Sequence, residues 1–276
     1  MLTRILSALV GIVFGVGVIL LDNLWLYIGV LSIIGAIGVW ELTKAVKCEK
    51  HKAMRWYCII VSALVPSVLC SDLFRPFASV LFVAFIIVLF VFLLAGHKKI
   101  RFEEMAMCGA AAIFIPFALS CIILIRYSSD NSLLGVSLIF YTLFCAWFGD
   151  SGAYFVGTFL GKHKLCPEIS PKKTVEGLIG GIVTVGVVCL IHCLIFNLLI
   201  SDGAYMSYAV LIPVGMAASG IGVLGDLSAS VIKRQFDVKD FGNIMPGHGG
   251  VLDRFDSVLF VAPFLYIVFN FLDHTM

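Results

Sequence analysis

Charged residues are scarce in this sequence, and their scarcity excludes an ordinary soluble domain. Asp, Glu, Lys and Arg together make up 13% of the 276 residues, whereas 61% are hydrophobic. The mean hydropathy is +1.08. Soluble domains are typically about a quarter charged and about half apolar. Since so few charges cannot cover a water-exposed surface, the composition predicts an integral membrane protein.

Patterns typical of other chemistries are also missing. There is no CxxC motif with a second such pair, so the nine cysteines predict packing residues rather than a zinc site. The segment GTFLGKH has three residues between its glycines and His163 after its lysine, which excludes a P-loop. The first apolar run has no small-x-small cleavage site after it, so we expect an uncleaved span.

Nine apolar runs approach the roughly 20 residues that a helix needs to cross a bilayer core of about 30 Å. The predicted fold is therefore an all-α, polytopic membrane helix bundle without a separate soluble domain. The predicted spans are residues 5–21, 24–41, 56–73, 77–95, 105–125, 133–160, 177–200, 205–225 (continuing as a helix toward 235) and 255–272.

The distribution of basic residues predicts the orientation of these spans. With nine spans and a cytoplasmic N-terminus, 17 of the 19 Lys and Arg residues fall on the cytoplasmic side, and only Arg75 and Arg126 fall outside. This segregation is what the positive-inside rule requires, and it places the C-terminus outside. We divide the bundle into a five-span region, 1–125, and a four-span region, 126–276, which carries most polar motifs.

The first polar motif, DSGAYFVGTFLGKH, starts at Asp150. Asp150, Tyr154, Gly157 and Gly161 fall on one face of a helix. An aspartate behind a long apolar run is costly unless a partner or water compensates its charge. The alternative interpretation is a helix-end residue at the membrane interface.

The second motif, SPKKTVEG, spans residues 170–177. Its adjacent Lys172 and Lys173 precede a predicted helix for which Thr174 is a plausible N-cap. Cations beside a helix N-terminus favour phosphate binding. The alternative is a pair of interface lysines that only obey the positive-inside rule.

The third motif spans residues 225–256. Asp226, Ser230, Lys233 and Arg234 fit one helix face, and Asp253 and Asp256, three residues apart, are also expected to share a helix face. The loop between them contributes Lys239, Asp240 and His248. Carboxylates suit Mg²⁺, which usually shares its coordination with substrate phosphates, and the cations suit those phosphates. Together these residues predict phosphoryl or nucleotidyl chemistry on a lipid. The alternative is a purely structural ion-pair network.

The third motif resembles the signature of the phosphatidate cytidylyltransferases, also called CDP-diglyceride synthetases. The matching residues are Ser230, Lys233-Arg234, Lys239-Asp240, Gly242, His248-Gly249-Gly250, Asp253-Arg254 and Asp256. The upstream motifs resemble the family over residues 150–177, whereas the N-terminal half resembles it only in hydropathy. The resemblance implies transfer of CMP from CTP to phosphatidic acid, which gives CDP-diacylglycerol and pyrophosphate.

The same resemblance implies the partners and the roles of the site residues. We expect an Mg²⁺-dependent homodimer, with a second monovalent cation such as K⁺, in contact with membrane lipids and not with nucleic acid. Its membrane would be a bacterial-type inner membrane, with the active site on the cytoplasmic side.

The catalytic residues implied are Asp226, Asp253, Lys233 and Arg254. The metal ligands implied are Asp226 and Asp253, supported by Asp256. The phosphate-binding residues implied are Lys172, Lys173, Lys233, Arg234, Lys239, Arg254, His248 and Ser230. Asp150, Tyr154, Asp240 and Glu176 are expected to support the site.

Three alternative functions are compatible with parts of the sequence. A transporter also carries intramembrane aspartates and glycine-interrupted helices, although repeated halves are more typical of that class. A synthase that consumes CDP-diacylglycerol would carry an Asp-Gly, Ala-Arg, Gly, Asp, Asp pattern, which this sequence lacks. An enzyme acting on an ether-lipid phosphate would differ only in substrate profile.

Overall fold

The computed structural model describes residues 2–245, 247 and 249–271, with side chains from Leu9 onward. Most of the described chain is α-helical. The helices are α1 (Leu2–Leu21), α2 (Leu24–Ala45), α3 (Lys52–Cys70), α4 (Ala78–Ala95), α5 (Phe102–Arg126), α6 (Ser132–Leu160), α7 (Val175–Ile195), α8 (Tyr208–Gln235), α9 (Leu252–Phe255) and α10 (Val258–Phe271). Short 3-10 helices occupy Cys48–Lys50 and Arg75–Phe77, and a π-helical turn, Phe196–Ile200, extends α7.

A small hairpin interrupts the helical pattern between α6 and α7. Strand β1 (Lys164–Cys166) pairs antiparallel with β2 (Ser170–Thr174), with Lys164 opposite Thr174 and Cys166 opposite Ser170. The sequence analysis predicted only helices and loops, so the hairpin corrects a strictly all-α description. The correction matters because β2 contains the lysine pair of the SPKKTVEG motif.

The predicted spans agree with the helices in position, but not every one of these helices is long enough to cross a membrane. Seven helical segments are long and apolar enough to cross a membrane: Leu24–Ala45, Lys52–Cys70, Arg75–Ala95, Phe102–Arg126, Ser132–Leu160, Val175–Ile200 and Tyr208–Gln235. In α1, the part with described side chains is the shorter segment Leu9–Leu21, and α10 has 14 residues. The chain is therefore a polytopic membrane protein, and the count of nine spans stays a prediction.

The helices pack as two compact units. Among the described residues, unit 1 comprises 2–120 with the returning segment Gln235–Arg254, and unit 2 comprises Cys121–Arg234 with 255–271. In unit 1 the core includes Met54, Phe85 and Leu89, and in unit 2 it includes Tyr141 and Leu265. The packing boundary in α5 lies near the predicted division at residue 125, but the return of residues 235–254 to unit 1 was not anticipated. The functional division stays a prediction.

Side-chain caps explain where several helices begin. The side chains of Asn23 and Asn131 accept hydrogen bonds from the backbone N–H groups at the third position of α2 and α6, respectively. Thr174 Oγ1 accepts from the Gly177 N–H at 3.1 Å, which confirms the predicted N-cap of α7. Each cap satisfies one N–H group that the helix itself leaves without a partner.

Glycines bring α6 and α7 of unit 2 into close contact. A Cβ atom added at Gly177 would lie 2.7 Å from the Ala153 carbonyl oxygen, and one added at Gly181 would lie 2.7 Å from that of Gly149. The small-xxx-small spacing of this pair therefore serves helix packing. At Gly11 and Gly15 the same addition would meet no atom of the described chain within 4 Å.

We expect the Gly181→Ala substitution to destabilise unit 2. The new methyl group would press against the Gly149 carbonyl oxygen and lie 3.1 Å from the Ala153 Cβ atom. Overpacking of this kind costs about 1–3 kcal/mol. Thermal unfolding in detergent should show a lower midpoint, whereas Gly29→Ala, which meets no described atom within 4 Å, should leave it unchanged or slightly higher. Equal midpoints for the two variants would contradict the packing role of Gly181.

Candidate active site

In unit 2, Asp226 of α8 contacts the hairpin. Asp226 follows Gly225 on α8, and its Oδ2 atom lies 2.5 Å from the Lys173 ammonium group of β2. The Ser230 hydroxyl, one helical turn further along α8, lies 3.5 Å from Asp226 Oδ1. This arrangement confirms that Asp226 and Ser230 share a helix face, and it brings together two motifs about 50 residues apart in the sequence.

Asp256 adds a second carboxylate to this group of unit 2. Its side chain is partly buried just before α10, and Oδ1 accepts a hydrogen bond from the Ser257 N–H at 2.9 Å. Burial and the negative charge of Asp226 raise the pKa of Asp256 from 3.8 to about 7, although Lys233 opposes the shift. A nearby cation would therefore favour the ionised form of Asp256.

Asp150 contributes a third carboxylate near the same place. Its Oδ2 atom accepts a hydrogen bond from the Ser257 hydroxyl at 2.6 Å, which joins α6 to the start of α10. The negative charge of Asp150 also contributes to the raised pKa of Asp256. The sequence analysis expected Asp150 to need a partner but did not identify one. The structure shows that Ser257 is a partner.

The hairpin separates the two lysines that the sequence analysis treated as a pair. Successive residues of a strand point to opposite faces of the sheet. Lys173 accordingly reaches Asp226, whereas the Lys172 side chain is exposed. Glu176, a predicted supporting residue, accepts hydrogen bonds from the backbone N–H groups of Lys162 and His163, and from the His163 ring at 2.6 Å. Glu176 therefore fixes the start of the hairpin.

In unit 1, Asp253 organises the loop that precedes it. The Asp253 side chain is buried, and Oδ2 accepts hydrogen bonds from the backbone N–H groups of Phe241 at 2.9 Å and Gly250 at 3.0 Å. Gly249 has a φ of +85°, a conformation that glycine adopts without strain, and a Cβ atom there would lie 3.3 Å from Asp253 Oδ2. The glycine pair of the signature therefore allows the loop to close around this carboxylate.

Asp253 and Asp256 were expected to share one helix face, but the helix between them is too short. Helix α9 ends at Phe255, and Asp256 lies in the following turn. The two carboxylates therefore have different local partners, namely loop amides for Asp253 and the Ser257 amide for Asp256.

The remaining predicted residues are mostly at the surface of their units. Lys239, Asp240, Arg234 and Arg254 are exposed, and Lys233 is partly buried. The Tyr154 ring is 67% exposed and contacts Phe155 edge-on. His248 lies outside the described residues.

The sequence analysis missed Glu41 of α2 in unit 1. Its side chain is completely buried, and its two oxygens accept hydrogen bonds from the backbone N–H groups of Val251 and Leu252 at 3.0 and 2.8 Å. A single acidic residue inside a predicted span was the one available signal, because intramembrane carboxylates are costly and need a partner. The sequence did not indicate which partner Glu41 has.

Unit 2 offers Mg²⁺ two carboxylate ligands, but not a complete set of protein ligands. Among the described residues, no three His, Cys, Asp or Glu side chains are grouped as a metal site. Mg²⁺ is nevertheless usually bound through one or two carboxylates, with water and substrate phosphates completing the octahedron. Asp226 and Asp256 are two such carboxylates in unit 2, and the charge of Asp226 acts on Asp256.

These features define a class of protein, namely a polytopic membrane protein whose carboxylates and lysines are suited to binding polyphosphate. The family model described as "Cytidylyltransferase family" matches residues 2–272. The chain therefore belongs to the cytidylyltransferase family, which confirms the resemblance seen in the sequence.

Individual relatives support the same family. The phosphatidate cytidylyltransferase of Bacillus subtilis is 45% identical over 183 residues, which cover 66% of this chain and 65% of the relative. The phosphatidate cytidylyltransferase of Thermotoga maritima is 34% identical over 249 residues, which cover 89% of this chain and 88% of the relative. The match thus spans slightly less than two thirds of the Bacillus protein and most of the Thermotoga protein.

The environment of Asp256 predicts that this residue lowers stability at neutral and higher pH. A folded-state pKa of about 7, raised from 3.8, means that the stability present below pH 4 is lost as the pH rises to 7. Without Mg²⁺ at pH 8, Asp256→Asn should therefore unfold at a higher temperature than the parent protein. The thermal midpoint should rise by about 2–4 °C for each kcal/mol by which the substitution increases the free energy of unfolding. The two midpoints should converge as the pH falls toward 4. A difference in midpoint that does not change with pH would contradict this explanation.

Proposed function

We propose that this protein transfers the CMP moiety of CTP to phosphatidic acid, producing CDP-diacylglycerol and pyrophosphate for phospholipid synthesis. The observation that carries the proposal is the whole-chain family match over residues 2–272. Relatives from Bacillus subtilis and Thermotoga maritima that bear the name phosphatidate cytidylyltransferase support the choice of substrates. The family match gives no support to the alternative that the protein is a transporter.

The chemistry of unit 2 supports the same reaction. The polar group around Asp226 and Asp256 contains carboxylates for a metal ion and two lysines, Lys173 and Lys233, for phosphate oxygens. We propose that Asp226 and Asp253 are metal ligands, as the family signature implies, and that Asp256, which shares unit 2 with Asp226, is a supporting ligand. When bound, Mg²⁺ would neutralise charge on the phosphates. The second, monovalent cation and the homodimer stay predictions from the resemblance.

The proposed reaction needs no side-chain nucleophile. A phosphate oxygen of phosphatidate attacks the α-phosphorus of CTP and forms a new P–O bond. The bond between the α-phosphorus and the bridging oxygen breaks, and its electron pair leaves with pyrophosphate. The phosphomonoester is largely dianionic at pH 7, so no strong general base is required. The residues therefore position two polyanions and stabilise the charge that develops on the leaving group.

The placement of the cations supports a cytoplasmic site. In the proposed orientation, with nine spans and a cytoplasmic N-terminus, Lys173, Lys233 and Lys239 all lie on the cytoplasmic side, where CTP is found. The acyl chains of phosphatidate would remain in the bilayer while its head group reaches these residues. We expect its membrane to be a bacterial-type inner membrane, as the family resemblance implies.

Pyrophosphate release by the purified protein in detergent micelles tests the proposed reaction. We expect release with CTP, phosphatidate and Mg²⁺ together, and loss of release when the lipid is omitted or when EDTA removes the metal. ATP, GTP and UTP should support little release, because the proposed substrate is a cytidine nucleotide. Folded protein that releases no pyrophosphate under any of these conditions would refute the proposal.

We expect Asp253→Asn to abolish turnover, with a loss of at least 100-fold in kcat. The amide keeps an oxygen that accepts the Phe241 and Gly250 N–H groups, so the loop should still fold, but the charge that would bind the metal is removed. Asp72→Asn is the matched control, since the Asp72 side chain is 97% exposed, and it should retain parental activity. Near-normal turnover of Asp253→Asn would show that Asp253 is not a metal ligand.

A further inference from the structure

Glu41 is the one fully buried carboxylate side chain among the described residues, with a relative exposure of 0%. It lies one turn before the end of α2, on the N-terminal side of the chain, where no catalytic motif was predicted. Its two hydrogen-bond donors, Val251 and Leu252, are about 210 residues further along the sequence. Burying a carboxylate costs several kcal/mol unless donors compensate it, so a position of this kind indicates a specific role.

The loop around Glu41 is shaped to receive its side chain. A Cβ atom added at Gly250 would lie 2.6 Å from Glu41 Oε2, and one added at Gly242 would come even closer to Oε1. These two loop glycines therefore allow backbone and carboxylate to approach directly.

Three successive backbone N–H groups are divided between two carboxylates. The Gly250 N–H donates to Asp253 Oδ2 at 3.0 Å, the Val251 N–H to Glu41 Oε1 at 3.0 Å, and the Leu252 N–H to Glu41 Oε2 at 2.8 Å. Because consecutive peptide planes are joined at one Cα atom and differ only by its φ and ψ angles, holding the Val251 and Leu252 N–H groups limits the directions open to the Gly250 N–H. Glu41 therefore determines the geometry of the turn on which Asp253 depends.

We propose that Glu41 is a positioning residue for the reaction, and that it holds the Gly250–Leu252 turn so that the Asp253 carboxylate is presented in one fixed orientation. This role rests on the proposed function, in which Asp253 binds the metal. Groups that orient a metal ligand typically contribute 10- to 100-fold to metal affinity or activity. The contact also gives α2, which lacks the family signature, a direct part in the site.

The Glu41→Gln variant tests this role with two independent measurements. One half of the Gln amide donates rather than accepts, so one of the two loop N–H groups loses its acceptor. Hydrogen–deuterium exchange of a peptide covering Gly250–Leu252, measured without metal or substrate, should become at least 10-fold faster. In turnover, the Mg²⁺ concentration for half-maximal rate should rise about 10-fold, while KM for CTP at saturating Mg²⁺ changes less than threefold.

Glu103→Gln provides the matched control, because the Glu103 side chain is 70% exposed and pairs with Arg101 at the surface of unit 1. It should match the parent protein in exchange, Mg²⁺ requirement and thermal midpoint. Glu41→Gln with parental exchange and a parental Mg²⁺ requirement would overturn the proposal. Faster exchange with an unchanged Mg²⁺ requirement would also overturn it, because the contact would then be only structural.

A steric test keeps the proposal open to refutation if Glu41→Gln folds poorly. Gly250→Ala should lower kcat at least 30-fold, because its methyl group would press against the Glu41 carboxylate. Glu41→Asp withdraws that carboxylate by about one methylene, so Gly250→Ala should cost less than fivefold in the Glu41→Asp background. Equal losses in both backgrounds would show that Glu41 does not define this turn.

If the parent protein itself lacks CTP-dependent activity, the proposed function fails. The exchange measurement needs no activity, so it would still show whether Glu41 holds the Gly250–Leu252 turn.

Discussion

A carboxylate inside an apolar helical protein needs compensating donors or cations, and this constraint accounts for much of the structure described above. Asp150 is matched by the Ser257 hydroxyl, Asp226 by Lys173, and Glu41 by two backbone N–H groups. Each of these contacts joins segments that are far apart in the sequence. The need to compensate buried charge thus connects loops and helices within each unit, in addition to the apolar and glycine-mediated packing of the helices.

Asp256 differs from these residues because burial and two neighbouring carboxylates, Asp226 and Asp150, oppose its ionisation more than Lys233 favours it. Burial and the Asp226 charge raise its pKa to about 7. Such an arrangement is unfavourable for folding but suits a group that binds a cation, since a bound metal ion would reverse the balance. The protein thus carries unfavourable electrostatics at the place where the proposed reaction needs a divalent cation, as is common at functional sites.

Much of the architecture followed from hydropathy and from local signals. The long apolar runs predicted the helices to within a few residues, for example α6 at 132–160 against the predicted 133–160. Thr174 was recognised as the N-cap of α7 because its preference is local and chemical. The hairpin was missed, because its strands have three and five residues and lack an apolar alternation. The break between α9 and α10 was also not foreseen, since it depends on loop contacts.

The sequence by itself determined the membrane class, the helices, the family and the set of polar residues that carry the proposed chemistry. These properties depend on composition, on apolar periodicity and on a spaced motif, all of which are local. Only the tertiary structure decided which of these residues are neighbours, that Lys173 rather than Lys172 pairs with Asp226, and that Glu41 receives the loop of Asp253. The reason is physical: pairing depends on which buried charges and N–H groups meet after the helices pack, and no local pattern records such contacts over some 50 to 210 residues.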